Sequence, residues 1–340
     1  SLVCLLILLS AGFIFLVSKG ANRTGDVSIF RYQKTMFQLA EQIREDGGQN
    51  ARITRILHNK ITNYSYTFFV NYVQHLSGSF LFTSGGYPLR YYLPWTGNFY
   101  PVEAVFLIVG LSFVIYSAVR SADVLSWVLE LWLFLGPVPA ALTYEDIPNI
   151  VRSIMLLPIL VIILSHGITI LRRQKRLTFI FYILIAVYIY NFSSFFHTYF
   201  HHTLVHEPWH RNAGMNILIK QLDYLSQRKI PIVTTASGDT NIMYYLFYWK
   251  IDPLFYQRAG SPRDKDNVKF MNIVFLDKDC PLDGDSKHPA SGKLGIMYVN
   301  KGECQVPVNT IERFHVRRPD NTMAYRILEM DINFDEKNPR

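Results

Sequence analysis

The chain is poor in charge. Asp, Glu, Lys and Arg make up only 18% of its 340 residues, against 50% hydrophobic and 15% aromatic residues. A soluble domain carries about 25% charged residues, so this composition belongs with membrane proteins. Cysteine is scarce as well. There are three, with no C-x-x-C, which leaves a zinc ribbon or a dithiol redox motif without support. Cys4 falls in an apolar run, whereas Cys280 and Cys304 share the C-terminal part and can pair in an oxidising compartment. The sequence has no G-x-S-x-G elbow and no G-x-x-x-x-G-K-[ST] loop, so serine-hydrolase and P-loop readings have no basis. Much of the net charge of +8 sits in the short RRQKR run and in scattered basic residues, with no basic helix, so nucleic acid is not an expected partner. The apolar run at Ser1 has no basic n-region ahead of it and does not read as a signal peptide; a further N-terminal portion is expected.

What the chain does have is long uncharged runs. Residues 177–196 contain no charge and match the ~20 helical residues that cross a hydrocarbon core. Residues 150–171 form a second run, with Arg152 near its start and Ser165, His166 and Thr169 near its end. The short basic loop RRQKR, 172–176, lies between them and by the positive-inside rule sits in the cytoplasm. Runs 2–17, 102–119 and 124–142 bring the total to about five spans. Segment 18–101, the TYEDIPN loop 143–149 and everything after 196 then fall outside. Within 18–101, residues 29–45 carry the periodicity of an interfacial amphipathic helix. Residues 63–101 are rich in Tyr, Phe and Trp, with Gly, Pro and Ser punctuation that argues against a span. Asn22-Arg23-Thr24 and Asn63-Tyr64-Ser65 fit the glycosylation pattern, which has meaning only in a secretory pathway.

Beyond 196 the pattern changes to alternating helix and strand. Helical spacing covers 208–229 and 241–249, strand patterns cover 230–235, 269–276 and 295–299, and 310–317 pairs with 323–330 through RPDNT as a hairpin. Ser237-Gly238-Asp239-Thr240 reads as a turn, and 264–266 and 279–293 as exposed loops. The expected architecture is a membrane α-helical bundle with a C-terminal extracytoplasmic small α/β domain. Its parts are a span at 1–17, an outer aromatic loop with an interfacial helix at 18–101, a four-span bundle at 102–196 and the α/β domain at 197–340. The expected location is the cell (inner) membrane.

Three stretches carry a resemblance. They are NYVQHLSGSFLFTSGGYPLRYYLPWTGNFYPVEAVFLIVGL (71–111), GPVPAALTYEDIPNIVRSIMLLP (136–158) and EPWHRNAGM through IMYYLFYWKIDPLFYQ (207–257). Together they resemble the C-terminal half of C-type glycosyltransferases, the polyprenyl-phosphate-dependent, protein-mannosyltransferase-like membrane enzymes. Asn149 departs from the pattern, where His is expected. The resemblance implies transfer of a sugar from a polyprenyl-phosphate donor to a lipid or protein acceptor at the outer membrane face. It also implies catalytic carboxylates in a first outer loop upstream of Ser1, so the catalytic residues are not identifiable here.

The donor phosphate calls for a cation at headgroup level. Arg152, at the outer start of a span, and Arg90, beside Tyr91 and Tyr92, are the candidates; interface anchoring is the competing role for both. Tyr72 and His75 are candidate cavity residues. Glu145 and Asp146 form an outer acidic pair that can steer an acceptor, hold a divalent metal or cap a helix; no cofactor is identifiable. Glu130 and His166 lie about 9 Å and 7.5 Å from the inner boundary by helix rise, which predicts a structural pair. HEPWH, 206–210, spells H-E-x-x-H, but Pro208 breaks the helix on which a zinc peptidase would need both His. Two rival functions follow: a membrane-anchored extracytoplasmic binding domain, and a membrane zinc peptidase.

Overall fold

The computed structural model describes residues 27–31, 33–47, 51–121, 123–235, 240–260, 267–282 and 295–330. The run 2–17, the Asn22 sequon, Ser237-Gly238-Asp239 and loop residues 264–266 and 283–293 lie outside the described residues. The chain forms two compact units, Ser1–Phe200 and His201–Arg340.

In the first unit a 3-10 turn (Ile29–Arg31) leads into α1 (Gln33–Glu45), α2 (Ala51–Leu57), α3 (Lys60–His75), α4 (Glu103–Ser121), α5 (Val124–Leu135), the single turn α6 (Val138–Ala141), α7 (Leu156–Arg173) and α8 (Thr178–His197). Four stretches are long and apolar enough to cross a membrane: Glu103–Ser121, Val124–Ala141, Leu156–Arg173 and Lys175–Val205. They coincide with four of the expected runs. Local chemistry sets their ends. Asp123 caps α5 by accepting from the Leu125 and Ser126 N–H groups at 3.4 and 3.0 Å. The basic run after α7 forms a 3-10 turn, Lys175–Leu177, before α8 begins.

Two features were not expected. The aromatic segment is not among the candidate spans, but it contains a 16-residue helix, α3, capped by the Asn59 side chain on the Thr62 N–H. Its glycine and proline punctuation starts only at Gly78, so nothing before it breaks the helix. The run 150–171 is not helical from its start. Residues 149–155 form turns, because the Asn149 Oδ1 takes the Val151 and Arg152 N–H groups at 3.0 and 2.8 Å. Arg152 therefore precedes a helix rather than heading one.

Helices α4 and α7 cross with their backbones in contact. A Cβ on Gly110 would lie 1.9 Å from the Ile163 carbonyl oxygen, and one on Gly167 would lie 1.9 Å from that of Phe106. Small residues allow this approach, which lets Leu107, Val114, Ile159 and Ile163 close one core on either side of the crossing.

The second unit is built on a six-stranded sheet, order β2-β3-β1-β4-β6-β5. Its strands are β1 (Ile232–Thr235), β2 (Asn267–Phe270), β3 (Ile273–Leu276), β4 (Met297–Lys301), β5 (Thr310–Arg317) and β6 (Met323–Met330). β1 is parallel to both β3 and β4, and the outer pairings are antiparallel. Ile232 joins the core under α9 (Met215–Gln227), while Val233 joins Tyr298 and Leu328 in a second core. Both sheet faces are thus covered, which explains the continuous apolar run of β1. The run 269–276 is two strands, reversed at Met271 with φ +55°. The expected helix at 208–229 starts only at Met215, because Glu207, Asn212 and Gly214 hold positive φ of 46°, 51° and 94°. Further helices are α10 (Thr240–Tyr248) and α11 (Pro253–Arg258); the latter was not legible as a helix.

Cys280 and Cys304 form a disulfide across a separation of 24 residues. By loop-closure entropy it contributes about 3 kcal/mol. Cys304→Ala is expected to lower the unfolding midpoint of this unit, followed in the full chain by tryptophan fluorescence, and reducing agent should do the same to the wild type alone. Equal midpoints for wild type and variant would show that the bridge does not stabilise the fold.

Candidate functional site

The first unit contains an apolar cavity of about 380 Å³. Four segments wall it: the wide helical turn Ser79–Thr83, the 3-10 turn Leu89–Tyr91, the pair Asn98 and Phe99, and residues 150–160 running into α7. Asn98, Ser153 and the Tyr91 phenol bring the polar side-chain atoms among its lining residues, which include no carboxylate. The walls are tied by backbone. Tyr87 donates to the Pro148 carbonyl at 2.8 Å, Ile150 donates to that of Tyr87 at 2.9 Å, and Phe99 donates to that of Leu81 at 2.7 Å. Gly86 and Gly97 make the approach possible, since a Cβ on either would lie within 2.5 Å of a neighbouring backbone oxygen.

Two side chains from α3 tie the segment that leads into the cavity wall at residue 150. Asn71 donates from Nδ2 to the carbonyls of Ala141 and Thr143 at 3.2 and 2.8 Å. His75 is fully buried. Its Nδ1–H donates to the Asn71 carbonyl at 2.7 Å, and its Nε2 accepts the Asn149 N–H at 2.9 Å. Both ring nitrogens are therefore used by the neutral tautomer. Burial pushes the His75 pKa below its ordinary value and the Arg152 charge adds to this, against a smaller opposing contribution from the Asn71 carbonyl. His75 is not among the residues lining this cavity; it is a buried latch whose partner Asn149 is itself buried.

Arg152 sits in the latched segment. Its Nη1 donates to Thr143 Oγ1 at 2.9 Å and to the Glu145 carbonyl at 2.8 Å, and its Nη2 lies 3.7 Å from the Glu145 carboxylate. The neighbours Val151 and Ser153 line the cavity while the guanidinium grips the 143–145 turn. Arg90 differs. It is exposed, its guanidinium stands 5.2 Å above the Tyr91 ring, and Tyr91 lines the cavity. Arg90 has no carboxylate partner among the described residues. Tyr72 faces α5, donating its hydroxyl to the Phe134 carbonyl at 3.0 Å. Glu145 is engaged by Arg152, and the exposed Asp146 holds a positive φ of 53°. Among the described residues no group of three or more His, Cys, Asp or Glu comes together as a metal site.

The expected Glu130–His166 pair is not formed. His166 donates from Nδ1 to the Ile162 carbonyl at 2.9 Å and stacks on Phe113 of α4 at 6.1 Å. Glu130 Oε1 is buried without a hydrogen-bond partner. In HEPWH, His206 is extended, Glu207 is left-handed and Pro208–Arg211 is a 3-10 turn. The Glu207 carboxylate lies 4.0 Å from His206 Nε2 and 3.6 Å from His210 Nε2. This is a carboxylate between two imidazoles, unlike the helical arrangement of a zinc peptidase.

The Asn71–His75–Asn149 latch had no signature in the sequence, because its hydrogen bonds join residues 70 to 74 positions apart. No family model matches the chain, and no curated protein or solved structure matches it.

Proposed function

We propose that this chain belongs to a glycosyltransferase that takes a sugar from a polyprenyl-phosphate carrier and passes it to a lipid or protein acceptor. The observation that carries the reading is the apolar cavity with Arg90 stacked on a residue of its wall. A cavity lined almost wholly by apolar side chains suits an isoprenoid chain, and an exposed cation beside it suits the phosphate. The cavity offers no carboxylate, so the reading assigns donor binding to it and not the general base. Arg152 is assigned to shaping the wall, since its guanidinium is taken by Thr143 and Glu145.

The membrane setting is part of the proposal. Four candidate spans support it, as does the apolar surface of α8, in which no residue is fully buried. By the positive-inside rule the basic run 172–176 supports a cytoplasmic location for that end. The disulfide of the second unit supports an oxidising, extracytoplasmic side for that unit.

The test is binding to the chain in lipid nanodiscs. A polyprenyl phosphate should bind more tightly than the matching polyprenol. Arg90→Ala should remove most of that preference, roughly 10-fold or more, as expected for a hydrogen bond to a charged group. Leu157→Trp, which fills the cavity, should weaken both lipids. Equal binding of phosphate and alcohol by the wild type would refute the donor assignment. Labelled sugar transfer from polyprenyl-phosphate sugar by membranes containing the protein would extend the result from binding to catalysis.

A further inference from the structure

The second unit has a cavity of its own, about 220 Å³ and largely polar. Its walls come from the turn after His206, the end of β4 and the β5–β6 hairpin. They include Trp209, Asn212, Lys301, Glu303, Arg318 and Tyr325. What these groups leave unused defines what would fit.

Arg318 is oriented by its own hairpin. Nη1 donates to Thr322 Oγ1 at 3.2 Å and to the Met323 carbonyl at 2.7 Å, which uses both of its hydrogens. The Nε and Nη2 edge has no partner among the described residues. That edge is the one with which arginine takes a carboxylate through two parallel hydrogen bonds. The Tyr325 hydroxyl is likewise without a hydrogen-bond partner among the described residues, although the residue is only 7% exposed. Burial holds its pKa up, at about 12, so it stays a donor. Lys301, paired with Asp279, adds a second cation to the wall.

The rest of the cavity has the opposite polarity. The Glu303 carboxylate has no cationic partner among the described residues and is exposed. Asn212 donates from Nδ2 to the Tyr244 hydroxyl at 3.2 Å, which leaves Oδ1 as an acceptor. These two groups need O–H donors. A free phosphate has none to offer at neutral pH beyond its own residual proton, and it would face the Glu303 charge. The Trp209 ring, 44% exposed, supplies an apolar platform beside them. One anionic group, several hydroxyls and an apolar ring face describe a single kind of small molecule. The volume lies below the ~300 Å³ at which drug-sized sites begin, which suits one ring and not a chain of them.

We propose that this cavity binds a sugar acid, a single pyranose whose carboxylate is held by Arg318 and Tyr325 while its hydroxyls donate to Glu303 and Asn212. The proposal rests on the second unit alone and stands apart from the polyprenyl-phosphate reading.

The experiment is titration of the full chain in detergent with glucuronate, glucose and inorganic phosphate, followed by ligand-observed NMR. Glucuronate should bind, with glucose and phosphate each at least 10-fold weaker. Arg318→Lys keeps the charge but loses the paired donors and should weaken glucuronate about 10-fold or more. Because Arg318 also ties its hairpin, two gentler variants accompany it. Tyr325→Phe and Trp209→Ala should each lower affinity several-fold, with the thermal midpoint unchanged for Tyr325→Phe. Equal binding of glucose and glucuronate would overturn the proposal, as would phosphate binding as tightly as glucuronate. So would an absence of glucuronate binding, or unchanged affinity in both gentler variants.

Discussion

Gly110→Ala is expected to unfold the helical unit at a temperature where the wild type is intact. The added methyl would start 1.9 Å from the Ile163 carbonyl oxygen, a backbone atom that cannot rotate away. Helices α4 and α7 would have to separate by more than about 1 Å, since real Cβ contacts begin near 3.0 Å. Separation would loosen Leu107, Val114, Ile159 and Ile163 together, because all four pack in the same core. Close-packed interiors do not absorb such a shift smoothly. The cost should reach or exceed the ~3 kcal/mol at the upper end of ordinary overpacking. Gly167→Ala should behave alike, since its methyl would meet the Phe106 carbonyl oxygen at the same distance. The double variant should cost clearly less than the two single costs added, because helices already parted by one methyl have room for the other. Thermal unfolding in detergent measures all three. A Gly110→Ala midpoint equal to that of the wild type would show that the crossing is not the point of closest contact.

His75→Ala should be nearly as damaging, by a different route. It removes a fully buried ring and leaves the Asn149 N–H without an acceptor. A lost buried ring costs about 3 kcal/mol and an unsatisfied buried donor about 1–3 kcal/mol. The residue also gives the fold a pH dependence whose sign is fixed. Protonation would put a hydrogen on Nε2, facing the Asn149 N–H, so the folded protein resists it. The folded pKa is thus below the ordinary value of 6.5. Above pH 6.5 the imidazole is neutral in both folded and unfolded chains, and its full contribution is present. As pH falls below 6.5 the unfolded chain takes up a proton that the folded chain refuses. Stability then drops by up to about 1.4 kcal/mol per pH unit until the folded pKa is reached. His75→Gln should flatten this part of the profile between pH 7 and pH 5. An unchanged slope in that variant would assign the acid sensitivity to other histidines.

Much of the architecture was legible because it depends on neighbours in sequence. Uncharged runs gave the four apolar stretches, and RPDNT gave the β5–β6 hairpin, where Asp320 does bond Thr322 two residues on. The candidate site was less legible because its parts are distant in the chain. Arg152 looked like a residue at a helix start, but the Asn149 side chain keeps its backbone in a turn. His75 looked available within an aromatic segment, and only the meeting of α3 with residue 149 buries it. Depth along a helix was readable for Glu130 and His166, but rotation about the helix axis was not, and Phe113 claims the His166 ring. The glycines of the α4–α7 crossing stood within apolar runs as an unread sign that two backbones touch there.

The latch between His75 and Asn149 also bears on how the protein is made. The hydrogen bond spans 74 residues, and the whole hairpin of α4 and α5 lies within that interval. A growing chain cannot form it until synthesis has passed residue 149 and the hairpin has folded back. Until then the His75 Nε2 and the Asn71 amide of α3 lack the partners they have in the folded protein. The walls of the apolar cavity therefore come together only once residue 149 has been made, after the helices between them.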